Sequence, residues 1–180
     1  MNRIESRSRK VSQQPIDGSR TSLLALAQAS SLAKLTGASI ELLHVVNALE
    51  YSNGFESPRA YIEKVRPYFL KVGNTLLDRS RGQLEAQGVI VTTVLLEADG
   101  KRVSELIADH ATTSLADLII LGTHGRRGVQ RLLLGSDAEQ VARIAPVPVM
   151  LVRDTLEHAV SRTGEQEVIK NNAFHTPTDE

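Results

Sequence analysis

Between Gly122 and Ser136 the chain carries residues whose types and spacing suit the phosphates of a nucleotide. Gly122-Thr123-His124-Gly125 is followed by nine residues and then by Gly135-Ser136. Glycines admit close backbone approach and positive φ. Ser136 sits where a helix begins, with Glu139 three residues on to complete a capping box. A helix start offers unpaired N–H groups and the positive end of the helix dipole, a ready anion site. Arg126, Arg127 and Arg131, between the glycines, can neutralise phosphate charge. Each feature also has a plainer account. Ser136 is an N-cap in any case, His124 alone could be a solvated loop histidine, the arginines could serve solubility, and the glycines a tight turn. The spaced set is the signal.

The same residues argue against turnover. No Gly-Lys-Ser/Thr follows the glycines, so the lysine of a P-loop is missing. No group of carboxylates in the sequence is suited to holding Mg²⁺ for phosphoryl transfer. His124 is the one acid–base candidate in the loop, and the sequence shows no partner for it.

These residues must be carried by a scaffold, and the pattern of the chain supplies one. Ser19–Leu35 has helical spacing, with Ser19 placed to cap its start and Gly37 just past its end. Ile40–Asn47 reads as a strand and Ala48–Ser57 as a loop. Pro58 opens a long helix that runs to Gln87 and stops at Gly88, with a kink expected at Pro67. Val89–Glu97 is a strand, Asp99-Gly100 a turn and Val103–Ala111 a helix. Asp117–Leu121 is a strand apolar enough to be buried on both faces, Ser136–Ile144 a helix and Val147–Val152 a last strand. Alternating strands and helices imply an α/β fold with a parallel sheet. Ligands in such sheets sit beyond the carboxyl ends of the strands, where the loop after Leu121 lies.

Composition narrows the partners. In 180 residues there are 21 basic and 21 acidic side chains, so no global charge draws the chain to nucleic acid or an anionic membrane. Cysteine is absent, which excludes disulfides and thiolate chemistry. Met1–Gln14 lacks the apolar stretch of a signal peptide, and no apolar run is long enough for a membrane span. The expectation is a soluble, cytoplasmic protein without nucleic-acid or membrane partners.

The run LIILGTHGRRGVQRLLLGSDAEQVARIAPVPVMLVR, from Leu118 to Arg153, resembles the universal stress protein family. Its nucleotide-binding members carry Gly-two-Gly-nine-Gly-Ser, met here by Gly122, Gly125, Gly135 and Ser136. The likeness continues at Asp17-Gly18-Ser19 and Leu43-His44-Val45. It implies a flexible segment over 1–10, one domain over 11–153 and a disordered tail over 154–180. It further implies a Rossmann-like five-stranded parallel sheet of order 3-2-1-4-5 with helices on both faces. ATP, ADP or AMP, with or without Mg²⁺, would lie across the ends of the first and fourth strands. Pro15, Ile16, Asp17 and the backbone of Val45 would stand near the adenine. Gly122, His124, Gly125, Arg126, Gly135, Ser136, Asp137 and Ala138 would surround ribose and phosphates. His44, one position before Val45, is read as facing the sheet packing.

Two positions depart from the family pattern. Asp137 brings a carboxylate toward the phosphates, unless it serves only as an acidic residue in a first helical turn. The first strand, usually strongly apolar, reads Val11-Ser12-Gln13-Gln14-Pro15-Ile16. Alternating side chains cannot all leave the core. The expectation is therefore a short strand, paired only near Pro15–Asp17, with Met1–Gln14 mobile and Asp17 loosely placed. The implied function is a nucleotide-binding stress-response regulator. It would form a homodimer along the edge strand Val147–Val152. The alternatives are a nucleotide-free dimeric interaction module and, more distantly, an ATP-dependent transferase or phosphatase.

Overall fold

The computed structural model describes residues 10–47, 58–125 and 134–154. The expected segments at 1–9, 48–57 and 155–180 lie outside them, as do Arg126, Arg127 and Arg131. Among the described residues eleven elements follow one another. They are β1 (Lys10–Pro15), α1 (Arg20–Thr36), β2 (Ser39–Val46), the short turn α2 (Pro58–Ala60), a π turn (Tyr61–Val65), α3 (Arg66–Glu85), β3 (Val91–Glu97), α4 (Val103–Thr113), β4 (Ile119–Gly122), α5 (Ser136–Ile144) and β5 (Val149–Val152). The strands form one five-stranded sheet of order β3-β2-β1-β4-β5, and every pairing is parallel.

Strand alternation builds two cores. Ile40, Leu42 and Ile120 face Ala25, Ala29 and Ala33 of α1 and Leu77 and Leu84 of α3. Their neighbours Leu43, Ile119 and Leu121 face Ile107 and Ala111 of α4 and Ala138 and Val141 of α5. Because β4 is buried on both faces, it needs the continuous apolar run its sequence shows.

Local chemistry sets the helix ends. Ser19 caps α1, its side chain accepting from the Ser22 N–H, and Gly37 closes the helix in the left-handed region at φ 70°. The kink expected at Pro67 takes the form of the π turn just before it. Proline in the first turn of α3 has no N–H to give and crowds the carbonyl four residues back, and the Arg66 N–H reaches Tyr61 instead.

Four expectations need correction. The first strand is not short: β1 runs over Lys10–Pro15, pairs with β2 from Ser39 to Leu43 and meets β4 at Gln13↔Ile119. Ser12, Gln13 and Gln14 are fully buried within it. The ladder and two apolar cores outweigh the polar side chains, of which Gln13 finds one partner, the Ile107 carbonyl at 2.9 Å. Second, Asp17 is held rather than loose, its Oδ1 accepting from the Ser19 N–H at 2.9 Å. Third, Gly135 and not Ser136 is the N-cap of α5, with extended backbone at φ −60° and ψ 144° and no side-chain cap. Fourth, Asp154 is not the start of a loose tail. Its buried carboxylate is ion-paired with Arg20 at the start of α1.

Candidate functional site

The carboxyl ends of β1 and β4 lie side by side in the sheet, and the turn after each carries the candidate residues. After β1 the chain passes through Asp17 and Gly18, the latter at φ 81°, into the first turn of α1. That turn grips the loop after β4. Ser19 Oγ donates to the His124 carbonyl at 3.3 Å, and Thr21 Oγ1 donates to the same oxygen. The His124 ring in turn meets Thr123 Oγ1 through Nδ1 at 3.1 Å. Thr123 is tied on its other side to β5, its N–H donating to the Val152 carbonyl at 2.9 Å.

The start of α5 is brought to the same place. The Gly135 N–H donates to the Thr123 carbonyl at 2.8 Å, so the chain leaving β4 at Thr123 returns to it at Gly135. The start of α5 thereby stands beside Thr123 and His124, and its dipole favours an anion there. Ser136 and Asp137 are exposed in this turn, while Ala138 is buried in the second core.

The glycines of the motif are required for close approach, not for unusual torsion. Among the described glycines, Gly18, Gly37, Gly88 and Gly100 have positive φ, and the three of the motif do not. A Cβ on Gly122 would lie 2.6 Å from the Thr21 carbonyl carbon and 2.8 Å from the Ser22 nitrogen, so this glycine lets α1 seat against β4. On Gly125 it would come 2.8 Å from Asp17 Oδ2, and on Gly135 3.0 Å from the Thr123 carbonyl oxygen. Gly125 and Asp17 are thus brought face to face, which joins the expected adenine side to the expected phosphate side.

Pro15 ends β1, and Ile16 is buried in the first core, so only its backbone can face a ligand. Val45 near the end of β2 packs its side chain on the second core, leaving its backbone at the sheet end. His44 is buried, as expected of a packing residue, but it also engages the Ile16 carbonyl through Nδ1 at 2.6 Å. On the far side of β2, Arg66 forks onto Glu97 with contacts of 2.6 and 2.7 Å, fixing the start of α3 to the end of β3. Those hydrogen bonds and the Glu97 charge push the Arg66 pKa further up. Sequence reasoning missed Thr21, Thr123 and the Arg20–Asp154 pair. A hydroxyl two residues after the Ser19 cap was the available signal for the first. What these contacts leave beside the joint of the two loops is the start of α5, whose unpaired N–H groups and dipole suit an anion.

The model of the universal stress protein family matches residues 14–153. The chain is 33% identical over 139 residues to universal stress protein MJ0531 of Methanocaldococcus jannaschii, covering 77% of this chain and 79% of that one. It is 30% identical over 143 residues to universal stress protein YxiE of Bacillus subtilis, covering 77% and 95%. Among solved structures, the protein MJ0577 superposes with a TM-score of 0.70 at 24% identity, covering 82% and 98%. A universal stress protein in complex with cAMP gives 0.56 at 20% identity, covering 82% and 98%. One from Archaeoglobus fulgidus in complex with dAMP gives 0.56 at 21%, covering 81% and 99%. From β1 to β5, the chain belongs to the universal stress protein family.

Proposed function

We propose that this chain is a stress-response protein that binds an adenine nucleotide, ATP or its lower phosphates, and acts as a dimeric regulator rather than a catalyst. The observation that carries this reading is the meeting of Asp17, the His124–Gly125 backbone and the first turn of α5 at one end of the sheet. Family members in complex with cAMP and dAMP support the ligand class. Asp17 and the Val45 backbone would serve the adenosine side, and the α5 start with Arg126 the phosphates. Among the described residues no three His, Asp or Glu side chains gather, so any Mg²⁺ would arrive on the phosphates. The dimer would form on β5, an edge strand whose Met150 is 41% exposed.

One observation favours the nucleotide-free module instead. Gly122 is fully accounted for by α1, and the space beside Gly125 is taken by the Asp17 carboxylate, so packing alone explains both glycines. Mass spectrometry of small molecules released from the denatured protein separates the two, and a turnover assay with labelled ATP tests the enzyme reading. Gly125→Val should weaken ATP binding in titration calorimetry tenfold or more, a loss of about 1.4 kcal/mol. Equal affinity would remove this site.

A further inference from the structure

The direction of the peptide groups at the end of β2 decides what a ligand can reach. Leu43 turns its carbonyl toward β1, where it accepts from the Ile16 N–H at 2.8 Å. Val46 turns its carbonyl the other way and accepts from the Ala98 N–H at 2.9 Å. Since peptide groups alternate along a strand, Val45 presents both its N–H and its C=O to the β1 side. The next rung of a parallel ladder would run from the Val45 N–H to the Ile16 carbonyl. That carbonyl is engaged instead by the buried His44 ring, 2.6 Å from Nδ1. A carbonyl only accepts, so Nδ1 carries the proton. The β1–β2 pairing accordingly ends at Pro15↔Leu43, and among the described residues no backbone bond joins Val45 to Ile16. Gly73 of α3 makes room for the ring, because a Cβ there would stand 2.7 Å from His44 Cδ2 and from Leu95 Cδ1.

We infer that His44 is a positioning residue that ends the β1–β2 ladder one rung early. The Val45 N–H and C=O are thereby left as a donor–acceptor pair for the base of the nucleotide. Adenine meets such a pair with N1 as acceptor and its exocyclic amino group as donor, as in readers of a base edge. Guanine, its ribose and phosphates held in the same place, presents the reverse order. The inference rests on the nucleotide reading above and adds a cause for base choice.

The test compares the parent with His44→Leu and His44→Asn. Two readouts are taken: hydrogen exchange at the Val45 amide without nucleotide, and ATP and GTP affinities by titration calorimetry. In His44→Leu the Ile16 carbonyl is free to take the Val45 N–H, so that amide should exchange at least tenfold more slowly than in the parent. ATP affinity should fall tenfold or more, and the preference over GTP with it. Asparagine carries a donor where Nδ1 stands and should keep the parental values. If His44→Leu does not fold, Gly73→Ala, which crowds the ring off the carbonyl, carries the same comparison. Unchanged Val45 exchange, or parental ATP binding by His44→Leu, overturns the inference. If the parent binds no nucleotide, the functional reading falls with the base-recognition half. The exchange comparison then still decides whether His44 ends the ladder.

Discussion

Gln14→Met should make this protein more stable, although it alters the centre of the sheet. β1 lies between β2 and β4, and Gln14 is wholly buried there. Neither its Oε1 nor its Nε2 has a hydrogen-bond partner among the described residues, and the same holds for Ser12 Oγ two residues earlier on that face. A buried donor or acceptor left unpaired costs about 1–3 kcal/mol, so the amide carries a ceiling of about 2–6 kcal/mol. Methionine keeps the length and flexibility of the side chain and removes both orphan atoms, with some loss from imperfect fit. The expected net gain is about 1–3 kcal/mol. In a chain of this size each kcal/mol moves Tm by roughly 2–4 °C, which places the rise at about 2–12 °C. Gln13→Met is the internal control. Its Nε2 gives up a real bond to the Ile107 carbonyl while its unpaired Oε1 disappears, and the two effects should cancel to within about 1 kcal/mol. Thermal and urea unfolding followed by circular dichroism measure both variants. Destabilisation by Gln14→Met, or a larger gain from Gln13→Met, would show that the Gln14 amide has real partners and would refute the reasoning.

Other substitutions probe the remaining parts of the frame. Gly122→Ala should cost about 1–3 kcal/mol, because its Cβ would press on the Thr21 backbone at 2.6 Å and overpacking of that kind cannot relax by a side-chain turn; a melting temperature within 1 °C of the parent would contradict it, at roughly 2–4 °C per kcal/mol. Leu115 is exposed and held at φ 56°, so Leu115→Gly should raise stability or leave it level, relieving about 1 kcal/mol of strain against the added chain entropy. A clear loss on urea unfolding would mean that this side chain is covered in solution. Val149→Lys puts a charge on β5 and should convert a dimer to monomers or aggregates in sedimentation; a parent that sediments as a monomer at micromolar concentration would end the dimer proposal.

The fold was legible because its signals are periodic. β4 announced itself by an apolar run buried on both faces, and α1 by small residues at helical spacing between Ser19 and Gly37. The residues of the site were legible as types, but their duties were not. Sequence assigns Gly122 to a ligand as readily as to a helix, and only the seat of α1 against β4 decides between them. The first strand misled for a related reason. Three polar residues in a row speak against burial one side chain at a time, whereas β1 is held by backbone rungs to β2 on one side and a pairing with β4 on the other. Such rungs do not depend on side-chain polarity. Ser136 was misassigned as the cap because Gly135 takes the extended cap conformation by itself, a choice that the return to Thr123 imposes.

Once the glycines are explained by packing, discrimination between ligands has to come from groups they leave exposed. The loop after β4 and the start of α5 can favour an anion, but backbone N–H groups and a dipole do not distinguish one base from another. Asp17 is bound to the Ser19 N–H and faces Gly125, which ties it to the joint between the two loops. The backbone of Val45 is different. It lies where β1 has already ended, on a strand whose other edge is satisfied by β3, and its two polar groups point the same way. On the proposed reading, phosphate affinity and base choice would fall on separate strands, the first on β4 and α5, the second on β2. A change at Gly125 should weaken all nucleotides alike. A change at His44 should instead alter the ratio between adenine and guanine nucleotides, and if both substitutions scale the two affinities equally, the division of labour between the strands is wrong.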